Sequence, residues 1–130
     1  MVRLVLLLAG TTACLVGAAS MFAPAETEAG LGIAIGADVS LINELRASGG
    51  GLAGAGIAIA AGAFSAELAY AAALLGTLTY LGFAAARVLS MAIDGRPDAR
   101  LLIVLGAEIL IGLLCLRAFL KLRKARRPAE

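Results

Sequence analysis

Residues 101–120 read LLIVLGAEILIGLLCLRAFL, twenty positions with only two charges, Glu108 near the middle and Arg117 near the end. A helix that crosses the hydrocarbon core of a bilayer needs about 20 mostly apolar residues. In lipid, backbone groups find no water, so such a segment is helical and satisfies its own hydrogen bonds. Working outward, three more apolar stretches appear: 4–22, 51–66 and 69–93, the third interrupted by Arg87. The second is short and rich in Gly and Ala, but carries no charge. The chain is 62% hydrophobic and only 15% charged, with a mean hydropathy of +0.99. Soluble domains are roughly 45–50% apolar, and this chain has too little charge to coat a water-facing surface. The expected fold is therefore all-α: one domain over 1–130, a four-helix transmembrane bundle with a basic tail at 121–130.

The longest connection, 23–50, opens with Glu26 and Glu28. From Asp38, a good N-cap residue, the apolar positions Val39, Ile42 and Leu45 recur at three- and four-residue spacing, which predicts a helix. The apolar run 31–42 contains Asp38 and is too short to span, so an interfacial or partly re-entrant helix over 38–47 is expected between the first and second spans, leading into the second. The turn before the third span is placed at 65–68, and Gly95 and Pro97 break the chain between the third and fourth. Pro24 closes the first span. Arg3 followed by an apolar run also resembles a secretory signal, but the run continues to Phe22, which favours an uncleaved helix.

Charge distribution sets the orientation. Four spans put both termini on one side. That side holds seven cations (Arg3, Arg117, Lys121, Arg123, Lys124, Arg126, Arg127) against three opposite (Arg46, Arg96, Arg100). Lys and Arg accumulate in short cytoplasmic segments, so both termini are expected in the cytoplasm. Glu26, Glu28, Asp38, Glu44, Asp94 and Asp98 then face outward. Arg exceeds Lys nine to two, and Ala and Gly abound, as in a GC-rich bacterial genome; the bacterial inner membrane is the expected location.

Several function classes are excluded or weakened. The chain has no His, the usual general base and commonest metal ligand near neutral pH. Cys14 and Cys115 lie far apart in apolar runs and read as small buried hydrophobes, not as a disulfide or a metal clip. Gly49-x-Gly51-x-x-Gly54 matches a dinucleotide fingerprint in letters only, because no strand precedes it. The small-residue pairs Gly50/Gly54, Ala13/Gly17 and Ala72/Gly76 fit close helix packing instead. No catalytic, cofactor-binding or metal residue is assigned, no nucleic acid is expected, and the chain is not read as an enzyme. The expected partners are the lipid bilayer and either further copies of the chain or another membrane protein.

Arg87 and Glu108 carry the most information. A charge at mid-span costs about 2.5–3.5 kcal/mol on insertion scales, so it is seldom left unpaired. Arg87 precedes Asp94 by seven residues and Glu108 follows Arg100 by eight, which places them about 10 Å and about 12 Å below the outer ends of adjacent antiparallel spans. They are expected to pair. Tyr80, Arg87 and Asp94 are spaced by seven on one helix face, and Asn43, Glu44 and Arg46 sit just above this level. The expected site is an outward-facing polar pocket of Asn43, Glu44, Arg46, Tyr80, Arg87, Asp94 and Glu108. Two readings of the pair stand side by side: a structural lock between the last two helices, or a ligand or proton site.

In these residues the chain resembles the domain-of-unknown-function 4345 family of small bacterial membrane proteins. The likeness is carried by Asn43-Glu44-Leu45-Arg46 with Gly49-Gly50, then Arg87, Asp94-Gly95-Arg96-Pro97 and Glu108. It covers nearly the whole chain, with four spans in the same order. It implies a four-helix integral membrane protein without an established activity. The expected function is a non-enzymatic structural or interaction component; the alternative is a small-solute or proton-coupled transporter acting as an oligomer.

Overall fold

The computed structural model describes residues 1–126, and the described residues are helical, without strands. Five helices follow in order: α1 (Val2–Phe22), α2 (Pro24–Gly30), α3 (Val39–Ala61), α4 (Ala66–Ile93) and α5 (Ala99–Ala125). By length and composition α1, α4 and α5 are long and apolar enough to cross a membrane. α3 is long enough, but Glu44, Arg46 and a run of glycines dilute its apolar content.

The helix boundaries have local causes. α1 ends at Phe22 and Pro24 occupies the first position of α2, where its missing N–H is no loss. The Asp38 carboxylate accepts from Ser40 N at 2.9 Å and from Leu41 N at 3.2 Å, which starts α3 where the sequence predicts. Ser65 Oγ accepts from Leu68 N at 3.4 Å, and Asp98 Oδ1 accepts from Arg100 N at 2.8 Å. Gly95 takes φ +99° just after α4, a conformation open chiefly to glycine.

Three expectations change. The helix predicted over 38–47 is not separate: it runs without a break into the next apolar stretch as α3. No proline or left-handed residue stands between Ala47 and Gly51, and Gly49 there packs against the α1 backbone at Gly17 and Met21. The second apolar stretch leaves the helix at Ala61, before the expected end at 66, and Ser65 caps α4 a turn earlier than predicted. The tail does not start at 121: α5 continues to Ala125 with Arg123 and Lys124 in its last turn, where cations suit the negative end of the helix dipole. Arg127 and the rest of the expected tail lie outside the described residues. α2 was not predicted.

The four long helices alternate in direction. At one end Arg3 lies over the Phe64 ring at 5.3 Å and Arg126 over the Tyr70 ring at 4.7 Å. At the other end Arg46 Nη1 donates to Met21 O at 2.6 Å, and Arg100 Nη1 donates to Gly30 O at 3.2 Å. The core between them is made of small side chains, with Leu6, Ala9, Ile59, Ala73, Cys115 and Ala118 fully enclosed. Cys14 and Cys115 are both free thiols.

α1 and α3 touch backbone to backbone. A Cβ on Gly10 would stand 2.7 Å from Gly56 O, and one on Gly56 2.7 Å from Gly10 O. One turn pair higher, Gly17 faces Gly49 O at 2.6 Å and Gly49 faces Gly17 O at 2.7 Å on the same measure. The contact therefore uses Gly49 and Gly56, seven apart. The expected pair Gly50 and Gly54 is peripheral: Gly50 nears only Met21 Sδ, and Gly54 meets open space.

Candidate functional site

The short connection after Ile93 folds α5 back along α4, which brings Arg87 and Glu108 to one level. Arg87 Nε donates to both carboxylate oxygens of Glu108, at 3.0 Å to Oε1 and 2.9 Å to Oε2. The pair expected from the sequence is therefore formed. Glu108 is buried at 8% exposure, whereas the Arg87 side chain keeps 31%. The acid is the enclosed partner and the base reaches the surface. This asymmetry suits a long side chain that lays its stem along apolar surface and sends its charged head outward.

The Nε contact leaves part of the guanidinium unused. Arginine offers five N–H donors, and one of them serves both oxygens of Glu108. Among the described residues no side chain or carbonyl accepts from Arg87 Nη1 or Nη2. Beside this group lies a cavity of about 90 Å³, lined by Arg87, Ser90, Met91, Pro97, Leu101 and Leu105. One wall is cationic and the others are mainly apolar.

The remaining predicted residues separate. Asp94 joins the neighbourhood through Ser90, whose Oγ donates to Asp94 Oδ2 at 2.8 Å. Tyr80 shares the helix face of Arg87, but at its level the neighbour is α1: its OH donates to Ala9 O at 2.6 Å inside the bundle. Arg46 caps the carbonyl end of α1, with Met21 O at 2.6 Å and Phe22 O at 3.4 Å. Asn43 and Glu44 are exposed on α3, beside a separate open depression with Val39, Ser40 and Leu41. The seven residues are thus not one pocket: Arg87 alone lines the cavity and Glu108 holds it from behind, Asp94 bonds Ser90 on the wall, and the other four serve elsewhere.

Sequence reasoning missed Ser90, Met91, Pro97, Leu101 and Leu105. Ser90 and Met91 were recoverable, since three and four residues after Arg87 is the same helix face. Leu101 and Leu105 are four apart on α5, but apolar spacing alone does not separate a cavity wall from a lipid-facing stripe. The capping of α2 by Arg100 was not legible, because α2 itself was not.

A family model described as Domain of unknown function (DUF4345) matches residues 1–119. The chain belongs to that family, as the resemblance in its sequence implied. Neither the curated proteins nor the solved structures give a match.

Proposed function

We propose that this member of the DUF4345 family is a four-span protein of the bacterial inner membrane, with both termini in the cytoplasm. It acts without catalysis, as a structural or interaction component whose polar pocket opens to the outside. The observation that carries this reading is the Arg87–Glu108 pair with an accessible cavity beside it. A purely structural lock has no need of an arginine that keeps 31% exposure and most of its donors unspent.

α3 serves as the fourth span. Its 23 residues reach about 34 Å, against a hydrocarbon core of about 30 Å. Glu44 and Arg46 fall in its first two turns, so those turns lie at the outer interface and the apolar remainder crosses. The use of the cations supports the orientation. At the outer end, Arg46 and Arg100 bond the carbonyl ends of α1 and α2, where helix dipoles already hold positive charge. At the other end Arg117, Lys121, Arg123 and Lys124 are exposed or partly exposed and suit an anionic cytoplasmic leaflet.

Reporter fusions test this. A fluorescent protein that matures only in the cytoplasm, fused after Glu130, should be bright, and a periplasm-dependent phosphatase inserted within 31–36 should be active. The opposite pattern overturns the orientation. A bright C-terminal fusion together with a labelled N-terminus outside overturns the four-span reading. A specific oligomer captured in native membranes would move the reading toward a multi-copy conduit for a small solute or protons.

A further inference from the structure

We infer that the cavity beside Arg87 holds the phosphate of a phospholipid, with its oxygens on the free Nη groups of Arg87 and its apolar part along Leu101 and Leu105. The inference rests on the membrane placement proposed above and gives that pocket a ligand class.

The donors come first. Arg87 Nε is committed to Glu108, so the guanidinium cannot swing away, and the groups it still offers are Nη1 and Nη2. Two parallel N–H bonds in a fixed plane match the geometry of a phosphate or carboxylate. Donors of this kind at the edge of a hydrocarbon layer need an acceptor, because the layer supplies none.

Depth comes next. α4 has 28 residues, about 42 Å of helix, and therefore overhangs a core of about 30 Å by about 6 Å at each end. Arg87 stands six residues before Ile93, about 9 Å from the helix end. Its Cα lies about 3 Å inside the hydrocarbon boundary, and the cavity beside its guanidinium extends past Ser90 and Met91 to Pro97 in the connection between α4 and α5.

Size and surroundings narrow the choice. The cavity, about 90 Å³, has room for a tetrahedral oxyanion. Asp94 is tied to Ser90 on the cavity wall, Asp98 is next to Pro97, and Glu108 lies behind Arg87. Asp98 and Glu108 are themselves paired, with Arg100 at 3.8 Å and with Arg87, so the neighbourhood carries little net charge to draw a free anion from water. A phosphate tethered to acyl chains gains in addition the burial of apolar surface on Met91, Leu101 and Leu105. The lipid is therefore favoured over soluble phosphate.

The experiment uses the full chain in a phosphate-free maltoside detergent. Four probes are titrated: a short-chain phosphatidylglycerol, the diacylglycerol with the same chains, inorganic phosphate, and laurate. Thermal melting and native mass spectrometry are the readouts. Phosphatidylglycerol should raise the melting temperature saturably and be retained one per chain, while the other three should not. Arg87→Lys, which keeps the charge but loses the fork, should weaken retention at least tenfold. Because that variant also disturbs the pair with Glu108, Leu105→Trp is the second test. It fills the cavity while leaving both members of the ion pair in place, and should keep the parent protein's cooperative melting yet no longer respond to the lipid. Wild-type lipid response in Leu105→Trp, or an equal response to diacylglycerol, overturns the inference. An equal response to inorganic phosphate makes it a free-anion site, and an equal response to laurate a carboxylate site; either result also overturns it. Binding in detergent does not depend on orientation. Lipid retention with reversed reporter signals would leave the ligand intact and overturn only the outward placement.

Discussion

The two halves of the bundle are joined by different means. At two crossings of α1 and α3 backbone meets backbone: Gly10 lies on Gly56 and Gly17 on Gly49, each within reach of the other's carbonyl oxygen. Such approach allows Cα–H···O contacts and dense van der Waals packing, the forces left when lipid removes the hydrophobic drive between helices. Where α4 meets α5, side chains do the joining. Leu81 sits over Gly112, Tyr70 packs on Phe119 at 4.9 Å between ring centroids, and Arg87 bonds Glu108. The connections explain the division. α4 and α5 are linked by a short turn that sets their register by itself. α1 and α3 are linked by residues 23–38, too long to fix any register, so the notch between paired glycines has to do it. Shape specifies one half, and a short tether with a charge pair specifies the other.

The largest expected effect tests the charged half. Arg87→Leu or Glu108→Leu alone leaves its partner in poorly solvated surroundings, and breaking such a pair costs about 3–5 kcal/mol. The lower end fits here, since Arg87 is about one-third exposed. Replacing both residues by Leu should recover much of the loss, because matched apolar groups need no partner. Thermal melting of the purified protein in detergent reads all three variants. Losses that simply add in the double variant break the comparison, because the two charges would then not be holding the helices together.

The same cycle run in the other half should come out with the opposite pattern. Gly17→Ala or Gly49→Ala sets a methyl within 2.6–2.7 Å of the facing carbonyl oxygen, and overpacking against backbone costs about 1–3 kcal/mol. No second substitution rescues it. The Gly17→Ala, Gly49→Ala double variant should melt below both singles, and crosslinking between cysteines placed on α1 and α3 should weaken in step. Rescue in the double variant would mean that the helices slide to a new register, and that shape does not set it.

How much of this was legible follows from the same contrast. The charge pair was readable because depth on a helix is arithmetic in residue number and a buried charge is rare. The long apolar helices were readable from length alone. The glycine contact was not. Gly49, Gly50, Gly51 and Gly54 look alike in a sequence, and only the rotation of α3 against α1 separates those that touch from those that do not. The continuity of α3 was misread because Glu44 and Arg46 suggested an end to the apolar pattern, when a helix can carry charges at its first turns and still continue inward. The scatter of the expected pocket has a similar cause. Position along the membrane normal placed Asn43, Glu44 and Arg46 near Arg87 in height, but height says nothing about direction around the bundle. Arg46 was drawn instead to the carbonyl end of α1.

The smallest expected effect is the sharpest test of that rotation. Gly51 and Gly54 are exposed, and a Cβ added to either meets nothing within 4 Å. In a helix, glycine is less favourable than alanine by about 0.8–1 kcal/mol in water, since it gives up more backbone freedom. Gly54→Ala should therefore leave the melting temperature unchanged or raise it slightly, while Gly56→Ala, two positions on, lowers it. Gly56 lies on Cys14 N and Gly10 O, so the two substitutions present the same methyl to opposite sides of α3. Their difference isolates the contact from helix propensity, because the propensity gain is common to both. If Gly54→Ala is as harmful as Gly56→Ala, the outer face of α3 is not free: a second copy or another membrane protein must press against it. The loss would then be expected to disappear at dilutions that separate the assembly. If it persists in the isolated chain, the rotation of α3 against α1 is wrong.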